Sequence, residues 1–290
     1  MIIALIEAMR PRQWMKNSFV LIALVFSRRL WDKGAVEWSL AAFCIFCFLS
    51  SAVYLLNDVV DYAKDREHPT KRDRAIASGR LPKSVAMVAA LIFAGGSIAL
   101  AFAINQAFAG LSIAYLVLNL LYSFSLKHVV ILDALMVAIF FVLRAVAGAA
   151  AIGVDISHWL LICTLLLALF ISLSKRRHEL VLLESNASSH RASLNEYSAY
   201  LLDQMIAVVT ASTLMAYVLY TVDERTVRVF GSDHLLYTIP FVIFGIFRYL
   251  YLIHQKGEGG NPDRIIISDR PFLINLILWM AAVAIIIYNS

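Results

Sequence analysis

Residues 38–65 read WSLAAFCIFCFLSSAVYLLNDVVDYAKD, an apolar run of membrane-crossing length that acquires carboxylates at its end. If one helix continues through it, Tyr54, Asn57, Asp58, Asp61 and Asp65 fall at steps of three and four and share a helical face. Three ionised carboxylates and an amide on that face cannot rest in hydrocarbon, where each charge costs about 2.5–3.5 kcal/mol even on a lenient scale. They require a cation. Oxygen donors at this spacing suit Mg2+ holding a phosphorylated substrate.

The rest of the chain agrees with a membrane setting. Of 290 residues 61% are hydrophobic and only 16% charged, a composition that excludes an ordinary soluble domain. Cys44, Cys47 and Cys163 all lie inside apolar runs, so Cys44 and Cys47 are expected to pack and not to form a redox pair. Met1 to Met9 is apolar but carries Glu7 and leads into Arg10-Pro11-Arg12 without a small-residue cleavage site, which suggests an interfacial helix and no removable signal peptide.

Crossing about 30 Å of hydrocarbon takes about 20 apolar residues. Runs at 14–28, 37–58, 84–105, 108–125, 130–152, 158–175, 200–221, 235–253 and 271–288 meet or approach that length. The first is the shortest, so the expectation is eight or nine spans in one polytopic, all-α membrane domain covering 1–290. With nine spans, eighteen of the 25 Lys and Arg residues fall on the side of the amino terminus and five opposite. The positive-inside rule then puts the amino terminus and the Asp stripe on the cytoplasmic face of the plasma (inner) membrane. The long loops at about 62–83, 176–199 and 254–270 lie on that side and would cap the site. Ala145, Ala149 and Gly153 form a small-residue row that lets helices approach closely.

Several polar groups must be accommodated on that side. Seven cations stand between Lys64 and Lys83, among them Lys71, Arg72 and Arg74, beside the carboxylates. Alone such a loop touches anionic lipid; next to a metal-binding stripe it forms a cradle for a diphosphate. Arg144 sits inside an apolar span, which marks a functional site unless it bridges Asp133 or another span. Lys127 ends the fourth span. Lys175-Arg176-Arg177-His178-Glu179 ends the sixth, where surface anchoring and a Lys175–Glu179 pair are the simpler uses.

The stripe Asn57-Asp58-x-x-Asp61-x-x-x-Asp65, with the basic loop ending Ala77-Ser78-Gly79, resembles the first Asp-rich motif of the UbiA superfamily of intramembrane prenyltransferases, whose fold has nine transmembrane helices. Arg10-Pro11-Arg12-Gln13-Trp14-x-Lys16-Asn17, Asp65-Arg66-Glu67-His68-Pro69-Thr70-Lys71-Arg72, Leu126-Lys127-His128, Leu143-Arg144-Ala145-x-Ala147-Gly148 and Lys175-Arg176-x-x-Glu179-Leu180 resemble, within it, the decaprenyl-phosphate phosphoribosyltransferases. Superfamily members bind an isoprenyl diphosphate between two Asp-rich motifs. Here the second is replaced by Lys175 to Glu179, which favours an anion directly.

The resemblance implies a bilayer enzyme that moves phosphoribose from 5-phosphoribosyl 1-diphosphate to polyprenyl phosphate, towards lipid-linked cell-wall glycan precursors. Mg2+ would sit on Asn57 and Asp61, with Asp58 or Asp65 assisting. Lys16, Tyr54, Lys71, Arg72, Arg74 and Lys127 would hold the donor. Lys127, Arg144, Lys175, Arg176 and Glu179 would serve the lipid phosphate. No nucleic-acid partner is expected, and the oligomeric state is open. Two alternatives stand beside this. A conventional prenyltransferase acting on an aromatic acceptor shares the first motif but needs a second carboxylate cluster. A lipid transporter or binder predicts charges along a path across the bilayer.

Overall fold

The structure, a computed structural model, describes residues 1–67, 71–184, 196–256, 265 and 268–289. His68 to Thr70, His190, Arg191, Asp263, Arg264 and most of the 254–270 loop lie outside the described residues. Among the described residues there is no strand. The α-helices are α1 (Ile2–Met9), α2 (Ile22–Phe26), α3 (Lys33–Val60), α4 (Tyr62–Glu67), α5 (Lys83–Ile104) and α6 (Gln106–Phe124), followed by α7 (Leu132–Ala151), α8 (His158–Glu184), α9 (Ala199–Val222), α10 (Glu224–Phe230), α11 (Ile239–Lys256) and α12 (Arg270–Asn289). Among the described residues, eight helices are long and apolar enough to cross a membrane, α11 being extended by a 3-10 turn from His234. Apart from the carboxyl-terminal end of α8, their bounds follow the apolar runs to within a few residues.

Two compact units divide the chain. The first comprises 1–126 and 143–156, the second 127–142 and 157–290, so α7 gives its first half to one and its second half to the other. In the first unit α3 is the central element, and Asp32 caps it by accepting from the Ala35 amide at 3.2 Å. α3 packs along α5, with α1 and the loop after α4 closing a core of Ala4, Ala8, Met9, Leu55, Ile76, Leu81, Ala86 and Ala90. In the second unit α8 packs along α9, and Phe170, Leu173, Leu202, Ile206, Tyr249 and Leu252 form the core. Leu91, Ile92 and Leu100 on α5 and Ile274, Ile277 and Ile285 on α12 are exposed, as expected where the surrounding medium is lipid.

Three expectations need correction. The segment expected to cross first, 14–28, is not one α-helix: Pro11–Leu21 is a 3-10 helix of 11 residues, and α2 adds 5. At about 2.0 Å per 3-10 residue and about 1.5 Å per α residue the two extend roughly 30 Å, the thickness of the hydrocarbon core. Among the described residues this stretch is not one of the helices long and apolar enough to cross a membrane. The loop expected from residue 176 begins later, because α8 runs on to Glu184. Glu179 pairs with Lys175 at 3.9 Å and with Arg176 at 2.7 Å, spacings that support a helix.

The small-residue row is also different. Ala145 and Ala149 are buried, but Gly153 lies past the end of α7 with φ 63°, a turn residue and not a packing one. The close approach is made at Gly148: a Cβ there would stand 1.8 Å from the Val20 carbonyl oxygen and 2.7 Å from its carbon. Only glycine lets the 3-10 helix lie against α7. Cys44, Cys47 and Cys163 are free thiols.

Candidate functional site

In the first unit the carboxylate stripe is present, with a bend in it. α3 stops at Val60 and α4 starts at Tyr62, while Asp61 has φ −82° and ψ 7°. The hydrogen-bond ladder passes through the bend, since the Asp61 amide donates to the Asn57 carbonyl at 2.8 Å and the Asp65 amide to the Asp61 carbonyl at 2.8 Å. One residue departs from helical ψ without releasing its bonds. Asp61 and Asn57 are half-buried, and Asp58 and Asp65 are buried at 5% and 3% exposure.

Two arginines account for the buried pair. Arg74 Nη1 donates to Asp58 Oδ1 at 3.1 Å and to Asp65 Oδ2 at 2.7 Å, and Arg10 Nη2 donates to Asp58 Oδ1 at 2.5 Å. The Arg10 guanidinium lies 4.8 Å over the Tyr54 ring, a cation–π contact. Each arginine is fixed by its own backbone. Arg10 adopts the left-handed conformation, φ 56°, between α1 and the 3-10 helix. Arg74 precedes Ala75-Ile76-Ala77, all buried in the core, and Gly79 turns the chain out again at φ 79°. The Ala77-Ser78-Gly79 motif is thus the anchor of the loop. Outside the membrane Arg80 donates to Glu7 at 2.6 and 2.8 Å, which holds the Glu7 carboxyl below its ordinary range.

The same unit positions Arg144. Its Nε donates to Asn17 Oδ1 at 2.8 Å, its Nη2 to the Tyr115 hydroxyl at 2.7 Å, and its guanidinium lies 4.9 Å over the Tyr115 ring. Asn17 also donates to Ser50 Oγ at 3.1 Å. Asp133, weighed above as a partner for Arg144, pairs with Arg176. Lys16 is half-buried on the 3-10 helix, whereas Lys71 and Arg72 are exposed in the loop.

In the second unit the basic stretch is a network of ion pairs. Arg176, 5% exposed, donates from Nε to Asp133 Oδ2 at 2.8 Å and from Nη1 to Glu179 at 2.7 Å. Tyr197 donates to Asp133 Oδ1 at 2.8 Å and accepts from the Ile131 amide at 2.6 Å; burial, with the bond to Asp133, raises its phenol above the ordinary value. Arg177 bonds Asp203. Lys175 is the more exposed cation of this turn. Lys127 is half-buried in a short turn before α7.

Sequence reasoning had no role for Arg10, Asn17, Tyr115, Asp203 or Tyr197. The first three are polar groups in or beside apolar segments, and that is the signal that marks them.

Whether Mg2+ fits rests on the donor set. Among the described residues no three acidic, His or Cys side chains form a ready cage, and Asp58 and Asp65 already bond arginines. Asn57 and Asp61 supply an amide and a carboxylate oxygen. That suffices for Mg2+, which is ordinarily held by one or two carboxylates and the substrate's phosphates.

Fold and site define a multi-pass helical membrane protein with a carboxylate and arginine cluster at the end of one span. The sequence profile of the UbiA prenyltransferase family matches residues 18–177, and the chain belongs to that family. It is 34% identical to the decaprenyl-phosphate phosphoribosyltransferase of Corynebacterium glutamicum, over 98% of this chain and 86% of that protein. The protein of the same name from Mycolicibacterium smegmatis is 33% identical over 99% and 93%. A UbiA homolog from Archaeoglobus fulgidus, solved with GPP and Mg2+, has the same fold with TM-score 0.69 at 17% identity, covering 98% and 99% of the two chains.

Proposed function

We propose that this protein is a polyprenyl-phosphate phosphoribosyltransferase of the cytoplasmic side of the plasma membrane. It takes 5-phosphoribose from 5-phosphoribosyl 1-diphosphate and releases diphosphate. The observation that carries the proposal is its likeness, over nearly the whole chain, to relatives bearing that name. The positive-inside distribution supports the orientation.

Asn57 and Asp61 would hold Mg2+ here, supplying charge neutralisation at the diphosphate leaving group. Lys16, Lys71 and Arg72 orient the donor and its 5-phosphate. Lys175, steadied by Glu179, takes the lipid phosphate; Arg176 stands behind Glu179 and keeps it in place. A phosphate monoester has its second pKa near about 6, so it attacks C1 as a dianion without a strong general base. Positioning and charge neutralisation then supply most of the rate.

Purified protein is incubated with labelled 5-phosphoribosyl 1-diphosphate, Mg2+ and polyprenyl phosphate, and a labelled lipid is the expected product. Prenylation of an aromatic acid from an isoprenyl diphosphate, with no labelled lipid, would overturn the proposal in favour of a conventional prenyltransferase.

A further inference from the structure

Asp58 and Asp65 stand on either side of the bend at Asp61, one at the end of α3 and one in α4. A single nitrogen, Arg74 Nη1, bonds both, at 3.1 and 2.7 Å. At 5% and 3% exposure the carboxylates are sealed from solvent, and Arg10 meets Asp58 from its other side at 2.5 Å. Two carboxylates and two guanidiniums make the cluster neutral, which removes the need for a metal to compensate Asp58 and Asp65. Asp61 lies between these two carboxylates, makes contacts of its own, and has a ψ of 7°, away from the helical value. The backbone bonds of Asp61 and Asp65 already run across this residue, and Arg74 adds a side-chain tie between the two helices.

We propose that Arg74 is a positioning residue: it staples α3 to α4 across the bend and so aims Asp61, with Asn57, at the divalent cation, while Asp58 and Asp65 serve as its anchors and not as metal ligands. This rests on Asn57 and Asp61 being the cation site of the proposed function. It departs from the expectation that Arg74 binds the donor.

The sign of one measurement separates the roles. Removing a cation next to a metal site strengthens metal binding by Coulomb's law, whereas removing a staple weakens it. Mn2+ retained by the purified full-length protein is followed by electron paramagnetic resonance after dialysis against Mn2+ and inorganic diphosphate, which supplies the phosphate oxygens, without phosphoribosyl donor or acceptor. The expected result is that Arg74→Gln weakens Mn2+ binding about tenfold, that Asp65→Asn does the same, and that the double variant is no worse than either single one within about twofold. Unchanged or tighter binding in Arg74→Gln, or losses that multiply in the double variant, would overturn the staple. Absence of bound Mn2+ in the parent overturns it too, by removing the cation site.

If the single variants do not fold, the exchanged pair Asp65→Arg with Arg74→Asp replaces them. Recovery to within about threefold of the parent supports the staple, and a folded exchanged protein that binds no Mn2+ overturns it. Because the measurement needs neither phosphoribosyl donor nor acceptor, failure of the phosphoribosyl assay alongside these Mn2+ results would refute the proposed reaction and leave the staple standing.

Discussion

Asp133 Oδ2 and Arg176 Nε are 2.8 Å apart with side chains 0% and 5% exposed, a buried ion pair joining the start of α7 to α8. Taking one partner from such a pair leaves a charge without compensation and typically costs about 3–5 kcal/mol. Arg176→Ala is therefore expected to lower the thermal midpoint in detergent by many degrees, and Arg176→Ala with Asp133→Ala together to be less damaging than the arginine change alone. A full-stability Arg176→Ala protein would refute the structural role.

Gly148 meets the Val20 backbone so closely that a Cβ would stand 1.8 Å from its carbonyl oxygen. Backbone cannot swing aside as a side-chain tip can, so Gly148→Ala must displace the 3-10 helix. A loss of about 1–3 kcal/mol, the usual cost of overpacking, is expected in denaturation experiments. Gly95→Ala, where a Cβ meets nothing within 4 Å, is the matched control.

Asp269 accepts from Arg248 at 2.8 and 3.1 Å and from the Phe272 amide at 2.9 Å, and these donors hold its carboxyl below the ordinary value. A depressed carboxyl contributes stability that is present above the unfolded value, about 3.9, and is lost as pH falls through the lower folded value. The start of α12 is thus expected to loosen only in strong acid. Trp279, bonded to the Tyr217 hydroxyl at 3.1 Å, reports the change by fluorescence. Asp269→Asn should lose about 1 kcal/mol of capping at neutral pH and much of the acid response.

Substitutions at the two proposed substrate groups separate by kinetic parameter. Asp61→Ala is expected to remove turnover, and Lys175→Ala to raise KM for the lipid phosphate about tenfold with kcat little changed, as befits binding shared by ground and transition states. Equal activity of Asp61→Ala and the parent refutes the first assignment; an unchanged lipid KM refutes the second.

Much of this architecture was legible in the sequence because hydrocarbon imposes one rule, a run of about 20 apolar residues. The runs at 37–58, 84–105, 130–152 and 271–288 needed nothing more. The 14–28 segment broke the rule because Lys16 and Asn17 interrupt it and its first part winds as a 3-10 helix. The face shared by Asn57, Asp58, Asp61 and Asp65 was equally plain, since helical periodicity is local. What that face holds was not: Arg10 reaches Asp58 across 48 residues and Arg74 across 16, and such pairings are decided by packing. The cations at Lys175 to Arg177 read as an open anion site, yet Asp133 and Asp203, which pair with two of them, arrive from other helices.

The 3-10 winding of Pro11–Leu21 has a consequence for tolerance to substitution. Three residues per turn stack every third side chain in one column, and Trp14, Asn17 and Val20 form the inward column while Arg12, Met15 and Ser18 form an exposed one. A saturation scan of this segment should therefore show intolerance recurring every third codon, where every flanking α-helix recurs at 3.6. A single-residue deletion here would turn the downstream column by a third of a revolution and move Asn17 away from Arg144.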